Sequence, residues 1–283
     1  LDVPVRVIAV LGSLVLALVL ILRRTRWRGA DLTPVVQRRR AGQHLGAAMR
    51  LMRARPGLFL SIGALLPVAG LMAVGLQWLL TEHTELGDAL TLAGAGSPWA
   101  SVVLALIGLV IVVPVTSIVY VAMAAAVRDL DADPEVASWS HAMTGVRRHP
   151  GGVVAELLPR ALTNALLFTV VLAPVGVWLL SRWCVVAASS LDDPRPLRRS
   201  AQLTRGQRLR TGALATLVTT LSLVVPALTA TLLLLLTGWS FFLVNLVTGL
   251  VAAVVVPVLA ATMALLHGDL RVGAGVPART AEI

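Results

Sequence analysis

Three polar side chains at helical spacing interrupt an apolar part of this sequence. Glu156, Arg160 and Asn164 stand four residues apart, so a helix places them on one face. Glutamate four residues before arginine is the favourable order for an ion pair, and a charge inside a membrane helix needs such a partner. This polar seam offers a pathway for a proton or a solute. The structural alternative is a pair that only packs helices together near the membrane interface.

A single arginine, Arg182, lies within the apolar stretch VWLLSRWCVVAASSL (177–191). An intramembrane guanidinium is a candidate ligand for a lipid phosphate or an anionic substrate. In the alternative interpretation, Arg182 extends outward to the headgroup level beside Trp178 and Trp183.

A basic run with five arginines and no acidic residue follows this stretch, PLRRSAQLTRGQRLR (196–210). Each arginine close to an anionic membrane surface contributes about 1 kcal/mol of attraction. The candidates for contact with lipid or substrate are Arg198, Arg199 and Arg205. Alternatively, these residues are solvated and only determine the topology of the chain.

The composition is that of a membrane protein. Of 283 residues, 57% are hydrophobic and 13% are charged, and the mean hydropathy is +0.87, whereas soluble domains carry about 25% charged residues. All 24 basic residues are arginine, which, with the bias toward Ala, Val, Leu and Gly, is typical of a GC-rich genome. The basic runs are short and lie between apolar runs, so they disfavour a nucleic-acid partner.

The sequence lacks the motifs of several catalytic and metal sites. It contains no HExxH, GxSxG, P-loop or GxGxxG pattern. Its one cysteine, Cys184, excludes an intrachain disulfide and a multi-cysteine metal site. We therefore expect no catalytic residues, no cofactor and no metal. These absences weigh against an enzyme without deciding the question.

Apolar runs of about 20 residues predict helices that cross ~30 Å of hydrocarbon. We predict an all-α polytopic transmembrane bundle of about seven spans, in the ranges 7–22, 58–80, 100–127, 151–191 (two crossings), 212–236 and 243–266. The segment 151–191 has a second interpretation, a single crossing over 161–180. Two crossings that turn near 174–176 are favoured, because short cytoplasmic loops carry the arginine excess.

With two crossings in this segment, 21 of the 24 arginines face the cytoplasm, in the ranges 23–55, 128–150, 195–210 and 271–279. This arrangement places the N-terminus outside and the C-terminus in the cytoplasm. We expect a multi-pass protein in the cell membrane of a GC-rich bacterium. Its expected partners are anionic headgroups of the inner leaflet, with a membrane-protein partner or a second copy as further candidates.

Three arginine-rich segments are similar to one another. HLGAAMRLMRARPG (44–57) aligns with SWSHAMTGVRRHPG (138–151) at an offset of 94, and 196–210 fits as a weaker third copy. Capping residues followed by proline predict helix starts at 33–34, 133–134 and 193–194. In the first copy, helical spacing gives an apolar face of Leu45, Ala48, Met49 and Met52.

These repeats predict three amphipathic cytoplasmic helices along the inner leaflet, each preceding a helix hairpin. The hairpins form a six-helix membrane domain over 30–275. An anchor with its basic flank (1–29) precedes this domain, and a cytoplasmic tail (276–283) follows it.

Three segments also carry a family pattern: GQHLGAAMRLMRARPG (42–57), the run from Arg182 through Asp192 to PLRRSAQLTRG (196–206), and ALLHGDLRVGAG (264–275). Over 30–275 they resemble the glycerophosphoryl diester phosphodiesterase membrane-domain family. The resemblance implies a six-helix membrane unit with the motif residues Asp192, Ser200, Asp269 and Arg271.

The sequence departs from the family pattern at several positions. The proline before the acidic residue is Ala188 or Ser189 here, the glutamate is Asp192, and two tyrosines are His267 and Gly268. Some family members carry a separate soluble phosphodiesterase domain, and no segment of this sequence resembles it. We expect a non-catalytic membrane scaffold or lipid-interacting partner module. The alternative is a transporter or lipid-handling protein that uses polar residues between proline-kinked helices.

Overall fold

The computed structural model describes residues 35, 37, 39, 41–83, 98–168 and 173–275. The predicted anchor over 7–22 and the tail over 276–283 lie outside the described residues. The helices, in chain order, are α1 Ala41–Ala54, α2 Pro56–Gly63, α3 Leu65–His83, α4 Pro98–Ala132, α5 Trp139–Arg148, α6 Pro150–Phe168, α7 Ala173–Trp183, α8 Val186–Ser189, α9 Pro196–Leu203, α10 Arg208–Leu236 and α11 Phe241–Gly273.

Four apolar helices are long enough to cross a membrane. They are Pro56–His83, which joins α2 and α3, then Leu106–Ala132, Arg208–Leu236 and Phe241–Gly273. Each overlaps one of the predicted spans. The described part of the chain is therefore all-helical and fits a multi-pass membrane protein.

The segment 150–190 leaves one end of the bundle and returns to it. α6 packs against α7, and a Cβ placed on Gly152 would lie only 2.7 Å from the Cβ of Ser190. A single helix that runs over 161–180 to the opposite end is therefore wrong. The predicted turn at 174–176 is wrong, because these residues lie in α7, which begins at Ala173.

The arginine-rich segments meet at this same end, which we call the basic end. Asp269 near the end of α11 accepts hydrogen bonds from Arg210 at the start of α10 and from Arg39 before α1. Asp192, between α8 and α9, accepts one from Arg271. Grouping of basic segments at one end is the arrangement that the positive-inside rule requires.

The core lies in the half of the bundle next to the basic end. Every residue over 119–127 in α4 and over 256–270 in α11 is buried, because neighbouring helices surround these two segments. The opposite half is open, and the end of α10 exposes its apolar side chains, among them Leu232, Leu234, Leu235 and Leu236. Exposed leucines in a continuous row are typical of a lipid-facing surface.

The apolar face of α1 packs on the protein, chiefly on α11. Leu45 and Ala48 are buried as predicted, but Met49 is 45% exposed, and His44 and Leu51 are buried in its place. The predicted face is thus rotated about the helix axis. A helix whose apolar side is covered by α11 does not have that side free for the inner leaflet.

Two predicted helix starts, at 133–134 and 193–194, are wrong. The carboxylates of Asp133 and Asp193 accept hydrogen bonds from the backbone N–H two residues later, at 2.9 and 2.7 Å. This geometry is an Asx turn, which competes with helix capping. As a result, α5 begins only at Trp139 and α9 at Pro196. The third predicted start, at 33–34, lies outside the described residues.

The three similar segments share a backbone feature. Each of α1, α5 and α9 is followed by a break where the next long helix begins, and the residues at these breaks have similar dihedral angles. They are Arg55 (φ −135°, ψ 58°), His149 (φ −124°, ψ 57°) and Gln207 (φ −134°, ψ 28°). These residues are also equivalent in the sequence alignment of the copies, so the same local geometry recurs in each.

Close helix contact at Gly63 gives a testable prediction. A Cβ on Gly63 would overlap the backbone carbonyl of Ala253 in α11, and backbone cannot move aside without shifting a helix. We expect Gly63→Ala to lower the free energy of unfolding by about 1–3 kcal/mol, the usual range for overpacking. Thermal unfolding in detergent measures the change.

Gly75→Ala is the matched control, since Gly75 lies in the same apolar helix with nothing within 4 Å of its added Cβ. Alanine is the better helix former by about 1 kcal/mol, so this variant should be neutral or more stable. Equal behaviour of the two variants would contradict the proposed contact.

Candidate functional site: an arginine pocket at the basic end

Four arginines line one pocket at the basic end, which we call the arginine pocket. Its volume is about 530 Å³, and its lining consists of Arg182, Trp183, Leu197, Arg198, Ala201, Gln202, Arg205 and Arg208. These residues come from the end of α7, from α9 with the turn after it, and from the first residue of α10. No carboxylate is among them, so the lining carries a concentrated positive charge.

Arg182 reaches the pocket because neighbouring hydroxyls hold the last turn of α7. The buried Ser200 donates from Oγ to the carbonyl of Arg182 at 2.7 Å, and the buried Thr211 donates from Oγ1 to the carbonyl of Ser181 at 3.3 Å. The last carbonyls of a helix lack partners within the helix. The Arg182 guanidinium lies over the ring of Trp178, 4.7 Å from its centre.

α7 has only 11 residues, and Arg182 lies in its last turn, at the basic end. Its Nε atom is buried without a hydrogen-bond partner in the described part of the chain. An unsatisfied buried N–H is unfavourable, so this atom is a local cost of the position that Arg182 takes.

Arg199 does not line the pocket and belongs to a separate charged cluster. Arg271 donates from Nη1 to Oδ2 of Asp192 at 2.8 Å, and His267 Nε2 lies 3.8 Å from the same oxygen. Arg199 is close enough to His267 to act on it electrostatically. This cluster joins the link before α9, and α9 itself, to the last turns of α11.

Asp269 joins three parts of the fold. Its Oδ1 accepts from the backbone N–H of Arg39 at 3.1 Å, its Oδ2 accepts from Arg210 Nη2 at 2.7 Å, and His44 Nε2 lies 3.5 Å from Oδ2. The carboxylate is only 3% exposed. Burial lowers the pKa of Arg39 from its ordinary value, and the negative charge of Asp269 opposes this shift.

Glu156 and Arg160 form a buried ion pair, as their spacing predicts. Arg160 donates to the Glu156 carboxylate, which also accepts from the backbone N–H of Ala187 in the first turn of α8. The Arg160 guanidinium lies 3.7 Å from the centre of the Tyr120 ring. The side chain of Asn164, the third predicted member, lies outside the described part of the chain.

A small cavity of about 40 Å³, which we call the inner cavity, adjoins this pair. Its lining includes Tyr120, Glu156, Arg160, Trp183, Cys184 and Thr219. A cavity of this size holds a few water molecules at most.

Spacing could have found part of the arginine pocket. Arg198, Arg205 and Arg208 follow one another at intervals of seven and three, which is helical spacing, although α9 ends at Leu203. Arg208 was missed. No sequence signal links His44 or Arg210 to Asp269, because their partner is distant in the sequence.

No family model, curated protein or solved structure matches this chain. Over 41–83, 98–168 and 173–275, no group of three His, Cys, Asp or Glu side chains could hold a metal ion. The described part of the chain is all-helical, with four helices that fit membrane crossings, and the arginine pocket is its candidate binding site.

Proposed function

We propose that this chain is a multi-pass membrane module whose arginine pocket binds the phosphate-bearing headgroup of an anionic lipid. The observation that carries this proposal is the pocket itself. Four guanidiniums converge there without a lining carboxylate, and their mutual repulsion is relieved when an anion binds. Arginine suits this task because its planar donors match phosphate oxygens. The volume of about 530 Å³ is in the usual range for a small-molecule site.

The surroundings of the pocket favour a lipid over a free anion. Arg208 begins an apolar helix long enough to span a membrane, and the next residue, Leu209, is 93% exposed. A fully exposed leucine beside the pocket is favourable where acyl chains cover it. Trp183, Leu197 and Ala201 add apolar surface to the lining of the pocket.

The topology of the proposed module follows the positive-inside rule. The basic end faces the cytoplasm, the segment 150–190 crosses the membrane twice, and the anchor over 7–22 completes about seven spans with the N-terminus outside. We place the protein in the cell membrane of a GC-rich bacterium, where it acts as a non-catalytic scaffold that engages a membrane-protein partner or a second copy. The gathering of the basic segments at one end supports this arrangement.

Membership of the glycerophosphoryl diester phosphodiesterase membrane-domain family is part of the proposal. Its support is contact between the three resembling segments. Asp192 of the second pairs with Arg271 of the third, and His44 of the first lies 3.5 Å from Asp269 of the third.

The second candidate function is transport. The buried Glu156–Arg160 pair beside the inner cavity favours it, as do the prolines inside long helices, among them Pro114, Pro226 and Pro257. The inner cavity holds only water-sized molecules in this conformation, so transport of a solute requires another conformation.

Lipid titration of purified protein in detergent tests the first function. Phosphatidic acid should raise the unfolding temperature, whereas phosphatidylcholine should not, because binding to the folded state stabilises it. Arg198→Gln with Arg205→Gln should weaken the lipid effect by about tenfold or more for each arginine, the loss that follows from removing a hydrogen bond to a charged group.

Arg147→Gln with Arg148→Gln removes the same charge from exposed positions in α5 and is the matched control. The proposal fails if both double variants weaken lipid binding equally, since that result indicates diffuse attraction to the basic end. Stabilisation by inorganic phosphate that equals the effect of phosphatidic acid would indicate a site for free anions.

A further inference from the structure

Trp183 adjoins both cavities. Trp183 is a lining residue of both the arginine pocket and the inner cavity. The residues on either side of Trp183 in the chain line different cavities: Arg182 lines the arginine pocket, and Cys184 lines the inner cavity. One residue, Trp183, thus lines a cavity with the four pocket arginines and a second cavity with a fifth arginine, Arg160.

The position of Trp183 is fixed by the residues that build the arginine pocket. It is the last residue of α7, and the two preceding carbonyls accept hydrogen bonds from Ser200 in α9 and Thr211 in α10. α9 and α10 also supply Arg198 and Arg208 to the pocket. Trp183 is therefore held in register with the arginines that surround the proposed ligand.

An anion on the inner side of Trp183 would disturb a compensated pair. Arg160 is already neutralised by Glu156, and the Glu156 carboxylate also binds the Ala187 N–H. A phosphate that reached Arg160 would compete with Glu156 and leave a buried carboxylate without its counter-charge, which is strongly unfavourable.

We propose that Trp183 sets the inner limit of the headgroup site, so that it holds an anionic headgroup among the pocket arginines and keeps it from the Glu156–Arg160 pair. This inference rests on the proposed function. On this inference, Trp183 determines how far into the pocket a headgroup can enter. Removal of the ring joins the two cavities into one.

Cys184, the one cysteine of the sequence, is a natural reporter inside the inner cavity. The test compares the rates at which a sulfonate-bearing and a trimethylammonium-bearing methanethiosulfonate label Cys184 in purified full-length protein. In Trp183→Ala, we expect labelling by the anionic reagent to accelerate about tenfold or more, because a cleft lined by one sign of charge concentrates the opposite ion. The cationic reagent should gain less.

Trp78→Ala removes an exposed tryptophan in α3 and is the matched control, which should label at the parent rate. Trp183→Phe should keep most of the protection. If Trp183→Ala does not fold, Trp183→Leu opens a smaller passage and should give a smaller acceleration of the same kind. Phosphatidic acid should slow labelling of the opened variant, since its headgroup occupies the route.

Two results overturn the inference: anionic labelling of Trp183→Ala that is no faster than that of Trp78→Ala, or acceleration that is equal for both reagents. The lipid titration of the unaltered protein is independent of this test. Stabilisation by phosphatidic acid together with unchanged labelling rejects the role of Trp183 alone. Absence of lipid stabilisation rejects the proposed function.

Discussion

Asp269→Ala should lower the free energy of unfolding by about 3–5 kcal/mol, the usual loss when one partner of a buried ion pair is removed. The carboxylate is 3% exposed and takes hydrogen bonds from Arg210 and from the backbone of Arg39. Its removal leaves the Arg210 guanidinium without its counter-charge and releases the segment before α1 from α11. Thermal or chemical unfolding in detergent measures the loss.

Two further aspartate variants define what the Asp269 result means. Asp133→Ala removes an exposed carboxylate that caps only its own turn, so its effect should stay within about 0.5 kcal/mol. Asp269→Asn keeps the shape and an acceptor without the charge, and it should fall between the parent and Asp269→Ala. If Asp269→Ala were as stable as Asp133→Ala, the carboxylate would not be the junction of the three segments.

Glu156→Ala should be destabilising by a similar amount, about 3–5 kcal/mol. It leaves Arg160 buried beside Tyr120 without its carboxylate and removes the acceptor of the Ala187 N–H. The double variant Glu156→Leu with Arg160→Met should regain most of this loss, because a buried ion pair replaced by packed apolar side chains is often neutral or stabilising. A double-mutant cycle measured by unfolding separates the pair energy from the single effects.

Arg128→Ala is the control for the cycle. It breaks the surface pair of Arg128 with Asp129, in which Arg128 is 48% exposed and the atoms lie 4.0 Å apart, and such pairs contribute about 0–1 kcal/mol. Recovery of stability by the double variant with retained lipid response supports a packing role for Glu156 and Arg160. Recovered stability with loss of a solute-dependent phenotype would instead support transport.

The predicted site was partly visible in the sequence. Glu156 and Arg160 form an ion pair as their i, i+4 spacing predicts. The prediction holds because one helix carries both residues and fixes the distance between them. Arg182, Arg198 and Arg205 share a pocket, and the spacing of the run indicates a shared side for Arg198 and Arg205 but not for Arg182. Arg199, one residue from Arg198, lies toward the Asp192 cluster, because adjacent residues on a helix point in different directions.

Local sequence determined the apolar helices. Runs predicted over 58–80, 100–127, 212–236 and 243–266 correspond to helices of the structure, since hydropathy and length act within one segment. The arginine distribution also favoured a return of the chain over 151–191, and α6 with α7 makes this return. These features need no knowledge of which helices pack together.

Tertiary structure alone decided how the helix surfaces are used. The sequence shows an amphipathic α1 but not that α11 covers its apolar side, which buries His44 and exposes Met49. It also does not reveal that Arg210 and the backbone of Arg39 converge on Asp269, more than fifty residues away in the chain. The physical reason is that periodicity gives each helix an apolar side and a polar side, whereas the partner of each side depends on the packing of the whole bundle.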